Sequence, residues 1–317
     1  LLLLLLFSEC ATAPTQLPGE YYIGMMPEES SYLLKIDVQN NRRLTELLLK
    51  PGLGGEALPP ELVDRISNAY MGIQSSRHSG SSPFAAPSIF VTATGRFPAG
   101  IISSNLDRDK EWEKRSNHIT YWYNTKMMME LALPERNLLC ISTKDVGAMV
   151  DRFRDRETMR IPEEVRREFD ISDVVVYIPE PGADMLAQGE GGGAVGFNAD
   201  LPIDAIWITL FSPVEDSGRP GPNSNLSYEV SLVFKVGDPS KTRQLTLISR
   251  LFIIAWMRQA DIGDITELKD KISITAGGDH VRIEGLELTV EEIEKGMQNL
   301  PFGSAPPGSS QAVSFAN

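Results

Sequence analysis

Three histidines, two cysteines and one glycine-rich stretch are the residues whose chemistry could be distinctive in this chain. The histidines are His78 in SSRHSGSSP, His118 in SNHITYW and His280 in GGDHVRI. A zinc hydrolase needs two imidazoles one helical turn apart with a carboxylate between them, and no HExxH or similar pair occurs. Histidines this scattered read as structural or surface groups. Gly191, Gly193 and Gly196 in GEGGGAVG stand at GxGxxG spacing. A dinucleotide site needs a strand before that motif and a helix after it, so that the pyrophosphate meets the helix N-terminus. Here ADMLAQ precedes and FNADLP follows, and the stretch reads as a loop. No GxxxxGK[ST] phosphate loop and no GxSxG nucleophile elbow is present. Acidic pairs such as Glu28-Glu29 and Glu291-Glu292 suit turns and helix starts, where carboxylates complement the dipole. The expectation is a non-enzymatic protein with no catalytic residues, no metal and no cofactor. An enzyme with a dispersed acidic site would need a perturbed carboxylate beside a histidine in a deep cleft.

The cysteines ask a different question. The sequence opens LLLLLLFSECATAPTQ, and Leu1 to Phe7 falls far short of the roughly 20 apolar residues that span a bilayer as a helix. Without Met or a basic n-region, the run is expected to be the trimmed end of an export signal. Two processing readings stand side by side. Cleavage after Ala11-Thr12-Ala13 fits the small-x-small pattern but leaves Pro14 first; alternatively, Cys10 is acylated as in a lipoprotein, with Glu9 where a small residue is usual. Cys140, in the apolar run NLLCIS, reads as a small buried hydrophobe. Two cysteines give no disulfide framework and no cysteine zinc site.

Thirty basic against 43 acidic residues give a formal charge of −13, the wrong sign for binding by phosphate neutralisation, so nucleic acid is not an expected partner. The same excess argues against simple electrostatic adhesion to anionic lipid, which leaves apolar contact as the route to a membrane.

The elements that would position any site repeat along the chain. SYLLKIDV (31–38) reads as a strand followed by the short helix RRLTELLLK (42–50). SDVVVYIP (172–179) and GADMLAQ (182–188) repeat that pair. SIFVTATG (88–95), followed by Pro98 and the apolar-periodic AGIISSNLDRDKEW, matches YEVSLVFKVG (228–237), followed by Pro239 and the helix 240–259. NLLCIS with DVGAMVDRF matches HVRIEGLEL with TVEEIEKGM, and Asp145 and Thr289 are the expected N-caps. The expected fold is therefore α+β, with two similar α/β units from an internal duplication and mixed sheets covered by helices. The sheets would be continuous or packed edge to edge. The domains are a signal remnant and lipidated tether at 1–19, a first unit at 20–153, a second unit at 154–300 that begins with the charged segment RDRETMRIPEEVRREFD, and a Pro, Gly and Ser rich tail at 301–317.

Apolar surface is the strongest remaining signal. Helix 240–259 carries Leu245, Leu247, Ile248, Leu251, Phe252, Ile253, Ile254, Trp256 and Met257, and its charged residues are Lys241, Arg243, Arg250 and Arg258. So wide a stripe suits a helix buried in a core or a basic amphipathic helix lying in a membrane interface. TYWYNTKMMMELAL (120–133) is a second such segment, with Trp122, Met127 and Met128 able to line a lipid pocket.

An export signal ending at Cys10, repeated α+β units and conspicuous apolar helices together resemble the treponemal outer-membrane-associated lipoproteins over residues 10–300. The resemblance implies an α/β/α body that uses amphipathic helices to sense and enter lipid, with Cys10 as the lipid-bearing position. The expected function is then that of a bacterial envelope lipoprotein, on the outer membrane or periplasmic face, binding membrane lipid through Trp122, Met127, Met128, Leu251, Phe252, Ile254 and Trp256. The alternative is a periplasmic or surface module that binds an envelope or host protein through the Gly-rich loop and the stretch 72–88.

Overall fold

A computed structural model of the chain describes residues 17–49, 63–74, 87–181, 203–212, 227–259 and 271–299. Cys10, His78, the glycine-rich stretch, segment 182–188 and the tail lie outside the described residues. The chain divides into two compact units. One holds Leu1–Ser30, Asp37–Gln39 and Leu58–Ile171; the other holds Ser31–Ile36, Asn40–Ala57 and Ser172–Asn317.

The first unit contains helix α1 (Gly19–Gly24) and strands β2 (Ile66–Gln74) and β3 (Ser88–Gly95), the strand Tyr32–Asp37 being β1 of the second unit. Helix α3 (Ala99–Arg108) comes next, then β4 (Trp112–Ser116), β5 (Thr120–Asn124), β6 (Met129–Glu135) and β7 (Leu138–Ser142). Helices α4 (Val146–Arg154) and α5 (Glu163–Ile171) complete it. Its strands lie in the order β2-β3-β7-β6-β5-β4, and every pairing is antiparallel.

Side chains alternate across this sheet, so Tyr70, Thr92 and Cys140, aligned by register, share one face. Tyr22 of α1 stacks on Tyr70 and on Phe153 of α4, with centroids 5.2 and 6.2 Å apart. Met25, Met26, Met149 and Val150 fill the space around them and are fully buried. Gly24 is obligatory there, because a Cβ would stand 2.0 Å from the carbonyl oxygen of Glu157. Asp145 caps α4 by accepting a bond from the Ala148 N–H at 3.0 Å, and Arg152 and Arg154 meet the negative end of its dipole. At the sheet edge, β4 is a charged strand in which Glu113, Lys114, Arg115 and Ser116 are all exposed.

The charged segment after residue 154 belongs with this unit, not with the second unit as the sequence suggested. The reason is α5, whose Val165 and Phe169, one turn apart, are buried while α1 packs against the helix.

The second unit contains β1, helix α2 (Arg42–Leu49), β8 (Val174–Pro179), β9 (Ile203–Phe211) and β10 (Ser227–Val236). After a short 3-10 turn at Pro239–Lys241 follow α6 (Thr242–Gln259), β11 (Ser273–Gly277), β12 (His280–Thr289) and α7 (Val290–Asn299). The strand order is β11-β12-β10-β9-β8-β1, again antiparallel at each pairing. Within each unit the described pairings are therefore antiparallel and not mixed. A hairpin connection needs only a few residues, whereas a parallel pair needs a crossover.

One face of this second sheet is apolar across its strands. The register row Leu34, Val176, Ile208, Leu232, Ile283 and Ile274 runs from edge to edge. Helix α6 packs on β11 and β12, and α7 packs on β12 and α6. Gly285, at φ +80, forms a bulge where the pairing of β10 and β12 slips; a Cβ there would meet the Lys271 carbonyl oxygen at 2.3 Å. Thr289 and Glu292 close a reciprocal capping box on α7. The Thr289 N–H donates to Glu292 Oε2 at 2.8 Å and the Glu292 N–H donates to Thr289 Oγ1 at 3.2 Å. Buried Lys35 donates to the Ser172 carbonyl oxygen.

The two units share a connectivity. In each, an antiparallel pair (β2-β3 or β9-β10), a helix (α3 or α6), a later antiparallel pair (β6-β7 or β11-β12) and a second helix (α4 or α7) occur in this chain order, with β4 and β5 following α3 in the first unit. The four strands then lie in the order first, second, fourth, third.

Candidate functional site

Helix α6 presents apolar surface in two directions. Thr242, Leu245, Ser249, Ile253 and Met257, three or four residues apart, form its buried face. The opposite face should be polar in a helix that meets only water. Instead Leu247 is 63% exposed and Leu251 50% exposed, with half-buried Ile254 one turn further along the same stripe. Exposed Arg243, Arg250 and Arg258 surround that stripe, and Trp256 is half-buried towards the other side. One face of this helix is therefore buried in the unit, and the other leaves apolar side chains exposed. Phe252 lies on the helix, but its side chain is outside what the structure describes.

The segment 120–133 is not a helix. It forms the β5-β6 hairpin, because Asn124 Oδ1 accepts from the N–H groups of Lys126 at 3.0 Å and Met127 at 2.8 Å and turns the chain. Aromatic residues in Tyr121-Trp122-Tyr123 favour the pleated surface. The hairpin separates residues that the sequence placed together. Trp122 is 4% exposed, its indole N–H donates to Asp107 Oδ1 at 2.7 Å, and Lys114 sits over the ring at 5.5 Å. It is buried and ties β5 to α3 through Asp107. The bonds from Trp122 and then Lys114 hold the Asp107 carboxyl below its usual range. Met127 and Met128, by contrast, are 51% and 66% exposed at the tip, and Met128 holds a left-handed φ of 51.

The first sheet carries a further apolar surface that sequence reasoning missed. Met71, Val91, Ile141 and Leu131 are aligned across four strands on the face opposite the Tyr70 row, and all four are half-buried. A signal was present in the continuous apolar run LLCI (138–141) of β7, which suits a strand covered on both faces.

Groups capable of acid-base chemistry are dispersed. His118 pairs with Asp151 at 2.7 Å, both half-exposed, and His280 meets its neighbour Asp279 at 3.3 Å. Among the described residues no group of three or more His, Cys, Asp or Glu is placed to hold a metal ion. Cys140 is fully buried, and burial pushes its thiol pKa up. Among the same residues no helix is long and apolar enough to cross a membrane.

These features define an α+β protein that turns aliphatic side chains outward on a helix and a hairpin tip. Residues 21–292 match the family of the outer membrane-associated lipoprotein TP0453, and the chain belongs to that family. It is accordingly a lipid-anchored protein of the bacterial cell envelope. Among solved spirochaetal structures, crystal form I of TP0453 is 17% identical with a TM-score of 0.59, covering 90% of this chain and 98% of that one. Crystal form III, also 17% identical, gives a TM-score of 0.57 with coverage of 88% and 98%. At this identity the likeness is one of fold. No curated protein matches the chain in sequence.

Proposed function

We propose that this envelope lipoprotein is non-enzymatic and binds membrane lipid through its body, with Cys10 bearing the anchor. The observation that carries the reading is the outward face of α6, where Leu247, Leu251 and Ile254 occupy the stripe that solvent would otherwise claim. A helix of this kind, apolar outward and flanked by arginines, lies in the headgroup region with its axis along the surface. Met127 and Met128 offer a second, smaller contact whose flexible side chains adapt to irregular surroundings. Repeated connectivity in the two units further supports an origin by internal duplication.

The anchor and the body are separable by experiment. Full-length precursor expressed with a fatty-acid probe should be labelled, and Cys10→Ala should not. The unacylated Cys10→Ala protein should still float with phospholipid vesicles. If it stays entirely in the aqueous fraction, the body does not bind lipid and the protein-binding alternative takes its place.

A further inference from the structure

The start of α6 borders an open groove of about 580 Å³, lined by Ser240, Thr242, Arg243, Thr246, Leu247 and Arg250, with Ala276 and Gly278 of the β11-β12 turn opposite. In a chain with a formal charge of −13, this groove has two arginines and no carboxylate in its lining. Among the described residues, the acids that flank this lining in sequence are engaged elsewhere: Asp238 accepts from the Ser240 N–H at 3.0 Å, and Asp279 pairs with Lys235 at 3.6 Å. Arg243 and Arg250 have no ion-pair partner among the described residues. They stand two turns apart, roughly 10 Å along the axis, with exposed Leu247 between them. The groove wall is held by the Thr242 hydroxyl, whose single proton is shared between the Pro239 carbonyl oxygen at 2.7 Å and the Gly278 carbonyl oxygen at 3.1 Å.

We infer that this groove receives the phosphodiester headgroup of an anionic phospholipid, with Arg243 and Arg250 holding the phosphate while Leu247 and Leu251 meet the acyl boundary. The inference rests on the lipid-binding reading of α6 and supplies its ligand class. A guanidinium presents a planar fork of donors that matches phosphate oxygens, and two unpaired ones beside an apolar stripe reproduce the headgroup-over-chain order of a leaflet. Because the whole chain is strongly acidic, long-range attraction to an anionic surface is absent, and any gain from anionic lipid must come from a local cluster of this kind.

The test uses the unacylated Cys10→Ala chain with two vesicle types, phosphatidylcholine alone and phosphatidylcholine with phosphatidylglycerol. Each arginine near an anionic surface contributes about fivefold, so Arg243→Gln with Arg250→Gln should weaken binding to the phosphatidylglycerol vesicles by roughly 30-fold and to pure phosphatidylcholine hardly at all. Arg42→Gln with Arg282→Gln makes the same charge change elsewhere in the unit and should leave both affinities near the parent's. Equal losses in the two pairs, or no loss in the first, would overturn the headgroup site while vesicle binding itself still stands. Loss of binding to every vesicle by the parent protein would instead sink the lipid reading beneath it. Matching melting temperatures among the variants establish that each remains folded.

Discussion

Replacing Leu247 and Leu251 by serine tests the outward face of α6 at its centre. Their exposures of 63% and 50% together amount to about one whole leucine side chain still in water. Burying one leucine is worth roughly 2 kcal/mol, so Leu247→Ser/Leu251→Ser should weaken vesicle partition about 30-fold. Stability should change little, because neither side chain supports the core; substitutions at such sites stay within about 0.5 kcal/mol per residue, apart from the modest helix-propensity cost of serine. The assay is flotation of the unacylated chain over a lipid titration, with thermal melting in parallel. An unchanged partition curve with an unchanged melting temperature would refute the assignment of this face to lipid. A large drop in melting temperature would show that the two leucines are packed against something in solution and refute it equally.

Three further outcomes follow from local chemistry. Thr289→Ala removes one half of the α7 capping box and should cost about 1 kcal/mol, read as a lower denaturant midpoint with an unchanged slope. Burial first, and then the nearby carboxylates Glu180 and Asp173, push the Tyr177 and Tyr228 phenols up to about 12 from 10.0. Because their folded pKa is raised, the stabilisation is complete below pH 10 and is lost as the pH climbs towards 12; tyrosinate absorbance should show these two groups titrating late and with unfolding, and early, reversible titration of all tyrosines would contradict the packing. Cys140, with its thiol pKa raised by burial, should resist iodoacetamide at pH 8 in the native protein and react fully after denaturation.

Much of the framework was legible in the chain because punctuation and period agreed. Pro98 and Pro239 precede helices, Gly95 and Gly237 close or follow strands, and Asp145 and Thr289 cap the helices expected after β7 and β12. Segment 120–133 misled for a physical reason. Its aromatics and methionines recur at intervals compatible with a helix, while the decisive element is one side chain, Asn124, whose turn bonds cannot be seen in a pattern of hydropathy. The ends of the stretch 72–88 are strand, Gly72 to Gln74 continuing β2 and Ser88 opening β3, because a register set by pairing does not stop where glycine and serine begin to dominate the sequence. The orientation of α6 was also hidden. A helix apolar all round does not say which leucines face the sheet, and only the packing on β11 and β12 separates Leu245 from Leu247.

The charged edge strand β4 bears on how many copies can share one membrane. Anchored proteins diffuse in two dimensions at high local density, and an open strand edge there is a template for edge-to-edge polymerisation. Pairing onto β4 would strip water from Glu113, Lys114 and Arg115 and compete with bonds they already make, Arg115 to Glu113 at 2.9 Å and Lys114 to Asp107 at 3.1 Å. The charged edge that closes the first sheet thus disfavours strand-to-strand pairing between neighbouring copies, however densely they are anchored.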